Sequence, residues 1–231
     1  MTWYALVVVD GLRERKKAQM RLHLRDVALK LFTERGFDGV SVAEIAAAAD
    51  VSKMTVLNYF PTKEDLVVSH LEDHVEEPAR VVRGRAPGES ALAALRRHFL
   101  AALADRDPAT GLSDAPKVRA VQELMLGTPV LMMRVLDFSA RSRVTLTEAF
   151  AEATGAAADD PTPRLAAAQV MGVRLALVTE NGRRMSIGES ADAVYPDAVA
   201  AANLAFDMLE RGLGIYVADS PVTGSVSTPR R

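Results

Sequence analysis

Apolar residues recur every three or four positions along most of this chain, and the alternating pattern of a strand is nearly absent. We therefore predict an all-α protein. The first helix is predicted at 13–35 and ends before Gly36, because glycine is the residue most often found after a last helical turn. Clusters of Gly, Pro and Asp separate the helices predicted in the second half, at 90–104, 117–126, 129–153, 164–183 and 192–213.

Two short helices joined by a turn are predicted between Ser41 and Leu66, where the sequence reads SVAEIAAAADVSKMTVLNYFPTKEDL. Ser41 and Glu44 have the spacing of a capping box for the first helix, and Ser52 has the position of a cap for the second. Asp50 stands at the turn, where a positive φ is expected and Asp is among the few residues that tolerate it. The crossing is expected to bury Ile45, Ala46, Ala49, Val51 and Val56. Such a unit inserts its second helix into the DNA major groove.

Charge is distributed unevenly along the chain. The net charge of the whole chain is −2, which by itself argues against a general nucleic-acid binder. Residues 13–63, however, hold ten Lys and Arg against six Asp and Glu, whereas residues 64–231 hold eighteen against twenty-three. A basic segment in an otherwise acidic chain indicates contact with a polyanion, and this segment contains the two-helix unit.

Four groups of residues follow one another through this segment: Ala28-x-x-Leu31-Phe32-x-x-x-Gly36-Phe37, Ser41-Val42-x-x-Ile45-Ala46, Val51-Ser52 and Tyr59-Phe60-x-x-Lys63-Glu64-x-Leu66. With them, the stretch from about 13 to 66 resembles the N-terminal domain of the TetR family of transcriptional regulators. The resemblance implies a three-helix DNA-binding domain followed by a helical ligand-binding and dimerisation domain. The family usually has Gly where Met54 stands and Tyr where Leu57 stands, and a leucine cannot donate a hydrogen bond to a phosphate.

We accordingly divide the chain into four parts: a flexible N-terminal arm at 1–12, the helix-turn-helix domain at 13–66, a helical effector-binding and dimerisation domain at 67–213, and a disordered tail at 214–231. The tail is small, polar and proline-containing, which is typical of disorder. A fourth helix is predicted to start after Pro61 and to run to about Val82. The glycines from Gly84 to Gly88 are expected to separate the DNA-facing part from the larger body.

The resemblance also implies which side chains meet DNA. Ser41, Tyr59 and Lys63 would hold phosphates, since helix N-termini and cations position a protein on the DNA backbone. The second helix of the unit would face base edges or nearby backbone, where Asn pairs with adenine and a Thr methyl contacts thymine. The complete predicted set is Lys17, Ser41, Ser52, Lys53, Met54, Thr55, Asn58, Tyr59 and Lys63.

In the resembling family, the last two long helices pair with those of a second subunit. The apolar residues expected at this interface are Ala168, Met171, Gly172, Leu175, Ala201, Leu204, Ala205 and Met208. A homodimer with twofold symmetry would bind a palindromic double-stranded operator, with its two recognition helices about one DNA turn apart. The alternative is that both faces build the core of a monomer.

The middle helices would hold a pocket for a small-molecule effector. The candidates for its lining are Phe99, Leu103, Met125, Met132, Met133 and Phe138, since methionine adapts to varied ligand shapes. The same residues at helical spacing are also typical of an ordinary core. Arg134, Arg141 and Arg174 are candidates for contact with an anionic ligand, although charged residues on helices are usually solvated.

The leading hypothesis is a ligand-responsive transcriptional repressor; activation stays open, because polarity depends on where the operator lies. One alternative is a small-molecule carrier whose DNA-binding domain has lapsed, motivated by Met54 and Leu57. Another is a helical metalloenzyme, because His70 and His74 have the i, i+4 spacing of metal ligands. A metalloprotease motif would, however, need Glu where Leu71 stands.

No Ser/His/Asp pattern and no phosphate-binding glycine loop is apparent, so we predict no enzymatic activity, no cofactor and no metal. The chain has no cysteine, which fits a reducing cytoplasm and leaves no thiolate for catalysis or a zinc finger. The apolar run at 3–9 is too short to span a bilayer. We therefore expect a cytoplasmic protein without a membrane partner.

Overall fold

The computed structural model describes the backbone of residues 3–217 and the side chains of residues 11–212. Within that range it is helical throughout and contains no strand, which confirms the all-α fold. The helices are α1 (Trp3–Arg35), α2 (Val42–Ala48), α3 (Lys53–Tyr59), α4 (Asp65–Val68), α5 (Glu77–Arg83), α6 (Ala91–Ala104), α7 (Pro116–Gly127), α8 (Pro129–Thr154), α9 (Thr162–Ser186) and α10 (Ala191–Val217). Two short 3-10 segments, Ser69–His74 and Pro108–Thr110, follow α4 and α6.

The ends of the first three helices follow from their local sequence. Gly36 stops α1 in the left-handed region, with a φ of 76°. The Ser41 hydroxyl accepts from the Glu44 amide while the Glu44 carboxylate accepts from the Ser41 amide, which confirms the capping box of α2. The Ser52 hydroxyl accepts from the amide of Thr55 and caps α3. Asp50 has a φ of 54° in the turn between α2 and α3, as predicted.

One apolar cluster holds the three N-terminal helices together. Four of the residues predicted at the helix crossing are buried and Val51 is half-buried. The rings of Phe32 and Phe37 pack beside them, with their centres 5.0 Å apart. The cluster also includes Leu131 and Phe138 of α8, so the helix-turn-helix unit packs directly against the body.

The second cluster forms the core of the body, from α5, α6, α8, α9 and α10. Each helix predicted in the second half is present, with ends that differ by a few residues at most. α1 differs more, because it begins at Trp3. Most of the range 1–12, which was predicted as a flexible arm, is therefore helical. Of the tail predicted as disordered, α10 includes residues up to Val217, and 218–231 lie outside the described residues.

The prediction of one continuous fourth helix is wrong. α4 ends at Val68, the 3-10 segment follows, and α5 starts anew at Glu77. Pro78 lies in the first turn of α5, where its missing amide costs nothing. Inside a continuous helix it would remove a hydrogen bond and clash with the preceding turn, so the helix has to restart there.

The loop from Gly84 to Gly88 does not separate the DNA-facing part from the body. It joins α5 to α6, and both helices contribute buried residues to the body core, including Val82 and Leu92. Of the helices described, none combines the length and the hydropathy needed to cross a lipid bilayer.

Candidate DNA-binding surface and internal cavity

Helix α3 presents polar side chains to solvent along one face. Lys53, Met54 and Asn58 are exposed, and Met54 is 64% accessible to solvent. Thr55 and Tyr59 are half-exposed, whereas Val56 on the opposite face is buried. The residues expected to face the bases therefore lie together, and their ammonium, carboxamide and hydroxyl groups suit phosphate oxygens and base edges.

The residues expected to hold phosphates fall into two groups. Lys17, Ser41 and Ser52 are exposed, and the hydroxyls of the two serines also cap α2 and α3. Lys63 is turned towards the protein, because its Nζ donates to the carbonyl oxygens of Phe37 at 3.0 Å and Val40 at 3.2 Å. The same ammonium lies 4.1 Å from the centre of the Phe37 ring. Lys63 thus fixes the loop between α1 and α2, a role that its place in the motif did not indicate.

Contacts from α1 hold the recognition helix in place. Arg21 donates from its guanidinium to the carbonyl oxygen of Tyr59 at 3.1 Å, and it lies 4.8 Å from the centre of the Phe60 ring. At the other end of α1, Arg35 donates to the Glu44 carboxylate at 2.6 Å. This hydrogen bond, with those from Ser41, lowers the pKa of Glu44 to about 2. The basic first helix therefore positions α2 and α3 as well as adding positive charge.

A cavity of about 310 Å³ lies between the helix-turn-helix unit and the body. α1, the 3-10 segment Ser69–His74, α7, α8 and α9 contribute to its walls. Its lining is mostly apolar, and two of the predicted pocket residues, Met125 and Met132, are part of it. A third, Phe138, lines a smaller neighbouring cavity of about 130 Å³ that shares Leu71 and Leu175 with the first.

The other predicted pocket residues lie elsewhere. Phe99 and Leu103 are buried in the body core, where the centre of the Phe99 ring is 6.4 Å from that of Phe206. They are therefore core residues and do not line the pocket. Met133 lies on the outer surface of α8, with 66% of it exposed. Met132 and Met133 point about 100° apart around α8, and of the two only Met132 lines the cavity.

Six polar side chains also line the large cavity, and none of them was predicted as an effector contact: Arg25, His70, His74, Lys117, Gln122 and Thr179. Arg25 comes from α1, His70 from the 3-10 segment and Gln122 from α7. Gln122 is only 7% exposed, and neither Nε2 nor Oε1 of its carboxamide has a hydrogen-bond partner in the part of the chain that is described. The sequence held a signal for it: Gln122 interrupts the apolar face that Val118, Val121 and Met125 form at helical spacing.

The protonation state of His70 follows from its surroundings. Burial, and then the charge of Arg25, lower its pKa to about 4, so the imidazole is neutral near pH 7. Its Nδ1 lies 2.9 Å from the carbonyl oxygen of Val67, which can only accept a hydrogen bond. The proton is therefore on Nδ1, and Nε2 is left as an acceptor.

His74 lines both cavities and belongs to a charged cluster that does not include His70. The carboxylate of Glu77 lies 2.9 Å from Nε2 of His98, 3.5 Å from Nδ1 of His74 and 3.4 Å from the Arg174 guanidinium. Burial opposes ionisation of Glu77, but these partners prevail and lower its pKa, and the hydrogen bond to Glu77 raises the pKa of His74. The imidazoles of His70 and His74 thus have different partners, and no three potential metal ligands converge among the described residues.

The outer faces of α9 and α10 expose a set of apolar residues. Leu204 and Met208 are 63% and 66% exposed, and Gly172 and Ala201 are also exposed. Of the other residues predicted at a dimer interface, Ala168 and Ala205 are half-buried, whereas Met171 and Leu175 line the cavities. Four of the eight predicted residues are therefore exposed in a single subunit, and the other four are half-buried.

Comparison with known proteins agrees with these features. Residues 24–69 match the bacterial regulatory proteins of the tetR family. Over 151 residues the chain is 30% identical to the HTH-type transcriptional regulator TcmR of Streptomyces glaucescens. The aligned region covers 65% of this chain and 67% of TcmR.

Solved structures share the fold over most of the chain. NalD, the secondary repressor of the MexAB-OprM multidrug efflux pump in Pseudomonas aeruginosa, superposes with a TM-score of 0.56 at 22% identity, over 84% of this chain and 97% of NalD. SmeT in its complex with triclosan gives a TM-score of 0.55 at 20% identity, over 92% of this chain and 99% of SmeT. Together with the exposed recognition helix, these findings show that the chain belongs to the TetR family and is a DNA-binding regulator of transcription.

Proposed function

We propose that the protein is a ligand-responsive repressor that binds a palindromic operator as a homodimer. The position of the 310 Å³ cavity carries this proposal. Its wall includes Arg25 of α1 and His70 of the 3-10 segment, which begins directly after α4. A ligand in this cavity would contact the helix on which α3 rests and the segment that joins the DNA-binding unit to the body.

The exposed residues on α9 and α10 support a dimer. An apolar patch of this kind on a soluble protein marks an interaction surface. A second copy related by twofold symmetry would cover the patch with the same residues and place two α3 helices at one operator. The operator would therefore have two half-sites of similar sequence, about 34 Å apart along the DNA axis.

Release from DNA requires that the ligand bind one arrangement of the subunits better than another. The free dimer would hold the arrangement that fits the operator, and a ligand that fits the cavity better in another arrangement would lower the population of the first. Two proteins of the same fold fit this interpretation: NalD is a repressor, and SmeT has been solved with triclosan bound.

The direct test is operator binding by the purified protein, measured by fluorescence anisotropy on DNA from upstream of its own gene and on a shuffled duplex. We expect a preference for the upstream DNA and a log affinity that falls with log salt concentration by about 0.9 per phosphate neutralised. The double variant Lys53→Ala/Asn58→Ala should lose the preference while its circular dichroism spectrum stays unchanged. Arg143→Ala, which removes an exposed cation from α8, is the matched control and should bind as the wild type does. Absence of any preference at moderate salt would refute the repressor.

The carrier hypothesis has the same cavity in its favour, together with the exposed methionine at position 54 on the DNA-facing side. The double variant separates the two functions. A carrier would bind small molecules and show no operator preference before or after the substitution, whereas a regulator would lose only its DNA binding.

A further inference from the structure

We propose that the ligand of the 310 Å³ cavity is an apolar molecule with a single anionic group, held by the guanidinium of Arg25 and oriented by the carboxamide of Gln122. The inference rests on the proposed function, because it names the class of ligand that the same cavity takes. Three observations support it: the charges of the lining, the unpartnered polar groups, and the apolar walls.

The charge of the cavity lining is positive. Arg25 and Lys117 both line it, and none of the described lining residues is an Asp or Glu. Lys117 already has a counter-ion, since its Nζ lies 2.5 Å from the carboxylate of Asp26. Arg25 forms neither a hydrogen bond nor an ion pair with another described residue, and Asp26 and Asp73 act on it only through space. A half-buried guanidinium without a partner binds an anion more strongly than an exposed one, because less water competes.

The unpartnered polar groups of Gln122 and His70 indicate which hydrogen bonds the polar end of the ligand makes. Gln122 is buried with both polar atoms unsatisfied, which is costly unless a bound molecule supplies a donor or an acceptor. His70 contributes a single acceptor, Nε2, because its Nδ1 proton is directed at Val67. The polar end of the ligand should therefore pair a negatively charged oxygen with a hydroxyl or N–H group close by.

The remaining walls limit the rest of the molecule to apolar groups. Leu71, Val121, Met125, Met132 and Val178 offer no hydrogen bonds, and two of them are methionines that adjust to different shapes. The volume is at the small end of the range for ligand pockets, about 300–1,000 Å³. These properties disfavour cations, sugars and polyphosphates, and they suit a compact apolar carboxylate, sulfonate, phenolate or enolate.

The position of Arg25 gives this contact a consequence for DNA binding. Arg25 lies one helical turn after Arg21, whose guanidinium holds the C-terminal end of α3 through the Tyr59 carbonyl. An anion bound to Arg25 therefore contacts the same stretch of α1 that positions the recognition helix.

A pair of fluorescent probes tests the ligand class. Anilinonaphthalene sulfonate and phenylnaphthylamine share one apolar ring system, and only the first carries an anionic group. We expect the full-length protein to bind the sulfonate at least about 10-fold more tightly than the neutral probe, as for a hydrogen bond to a charged partner. Arg25→Gln should remove this preference by weakening the sulfonate alone, and Arg25→Lys should keep most of it. Arg143→Gln, on the outer surface of α8, is the control and should change neither affinity.

Two further variants locate the probes. Ala109 lines both cavities, so Ala109→Leu should weaken both probes together, and Gln122→Leu should weaken the sulfonate more than the neutral probe. Failure of the sulfonate to bind, equal affinities for the two probes, an Arg25→Gln effect shared by both probes, or sulfonate binding that survives Ala109→Leu would each overturn the proposal. Operator binding by the same preparations tests the repressor function separately. If the wild type did not bind the operator, that function would be refuted, and the preference for the anionic probe would be a property of a carrier.

Discussion

Lys63 offers a sharp test of how the helix-turn-helix unit is built. Family resemblance assigns it to a DNA phosphate, whereas in the structure two of its three N–H groups are directed at the carbonyl oxygens of Phe37 and Val40. We predict that Lys63→Met, which keeps the aliphatic stem, destabilises the protein in the absence of DNA. The phosphate role predicts no such loss.

The magnitude follows from the contacts that the substitution removes. A hydrogen bond to a charged group contributes about 1.5–3 kcal/mol when it is buried, and the contact with the Phe37 ring adds about 0.5–1 kcal/mol. Lys63 is only half-buried, so water replaces part of what is lost. We therefore expect the free energy of unfolding to fall by about 2 kcal/mol, well below the sum of the individual contributions.

The assay combines urea unfolding, followed by circular dichroism, with the salt dependence of operator binding. Lys53→Met is the matched control, because Lys53 is exposed at the start of α3. It should leave stability within about 0.5 kcal/mol and lower the salt slope by about 0.9 per subunit of the dimer, the value for one phosphate contact. If Lys63→Met showed that same pattern, with intact stability and a reduced slope, the structural role assigned to Lys63 would be wrong.

Three other predictions concern the turn, the cavity and the dimer. Asp50→Val should lower stability by about 1–2 kcal/mol in thermal unfolding, because a β-branched residue is strained at a φ of 54°, whereas Asp50→Asn should be nearly neutral; equal effects would contradict this. The pKa of His70 falls from 6.5 to about 4 on folding, so the unfolded state gains the proton first as pH falls through this window. The wild type should therefore lose up to about 3 kcal/mol of stability between pH 6.5 and 4 that His70→Gln does not lose, and parallel pH profiles for the two would refute it. Leu204→Glu/Met208→Glu should convert a dimer into a folded monomer in sedimentation equilibrium, since both side chains are about two-thirds exposed in one subunit; an unchanged dimer would place the interface elsewhere.

The elements that local chemistry controls were predictable from the sequence. The caps at Ser41 and Ser52, the positive φ of Asp50 and the stop at Gly36 depend on residues within a few positions of each other. The break before α5 was missed although Pro78 signals it, because the apolar periodicity continues through the proline. Local patterns therefore predict helices well, and they fail where two signals in the same stretch disagree.

The cavity could be predicted only in part, because its walls come from segments far apart in the chain. Met125 and Met132 were selected for their flexible apolar side chains, but the same criterion selected Phe99 and Leu103, which pack in the core. Nothing in the local sequence tells a residue that faces a cavity from one that faces a neighbouring helix. In the sequence, Arg25 shares an i, i+4 spacing with Lys17 and Arg21, and only the approach of α7 and the 3-10 segment turns it into part of the cavity lining.

Ion pairs and an apolar contact attach the DNA-binding unit to the body. Ion pairs join Arg134 to Asp65, Lys117 to Asp26 and Arg141 to Glu72 across the junction, and the last two have both side chains about half exposed. Pairs of this kind contribute about 0–1 kcal/mol each and are screened by salt. The packing of Leu131 and Phe138 of α8 against the unit is therefore the larger constraint. A ligand needs about 5.5 kcal/mol of differential affinity to reverse a 99:1 population, which is well above the total of about 0–2 kcal/mol from the two exposed pairs. Control of DNA binding by the proposed ligand would therefore act on this apolar contact of α8, the helix that also lines the cavity through Met132.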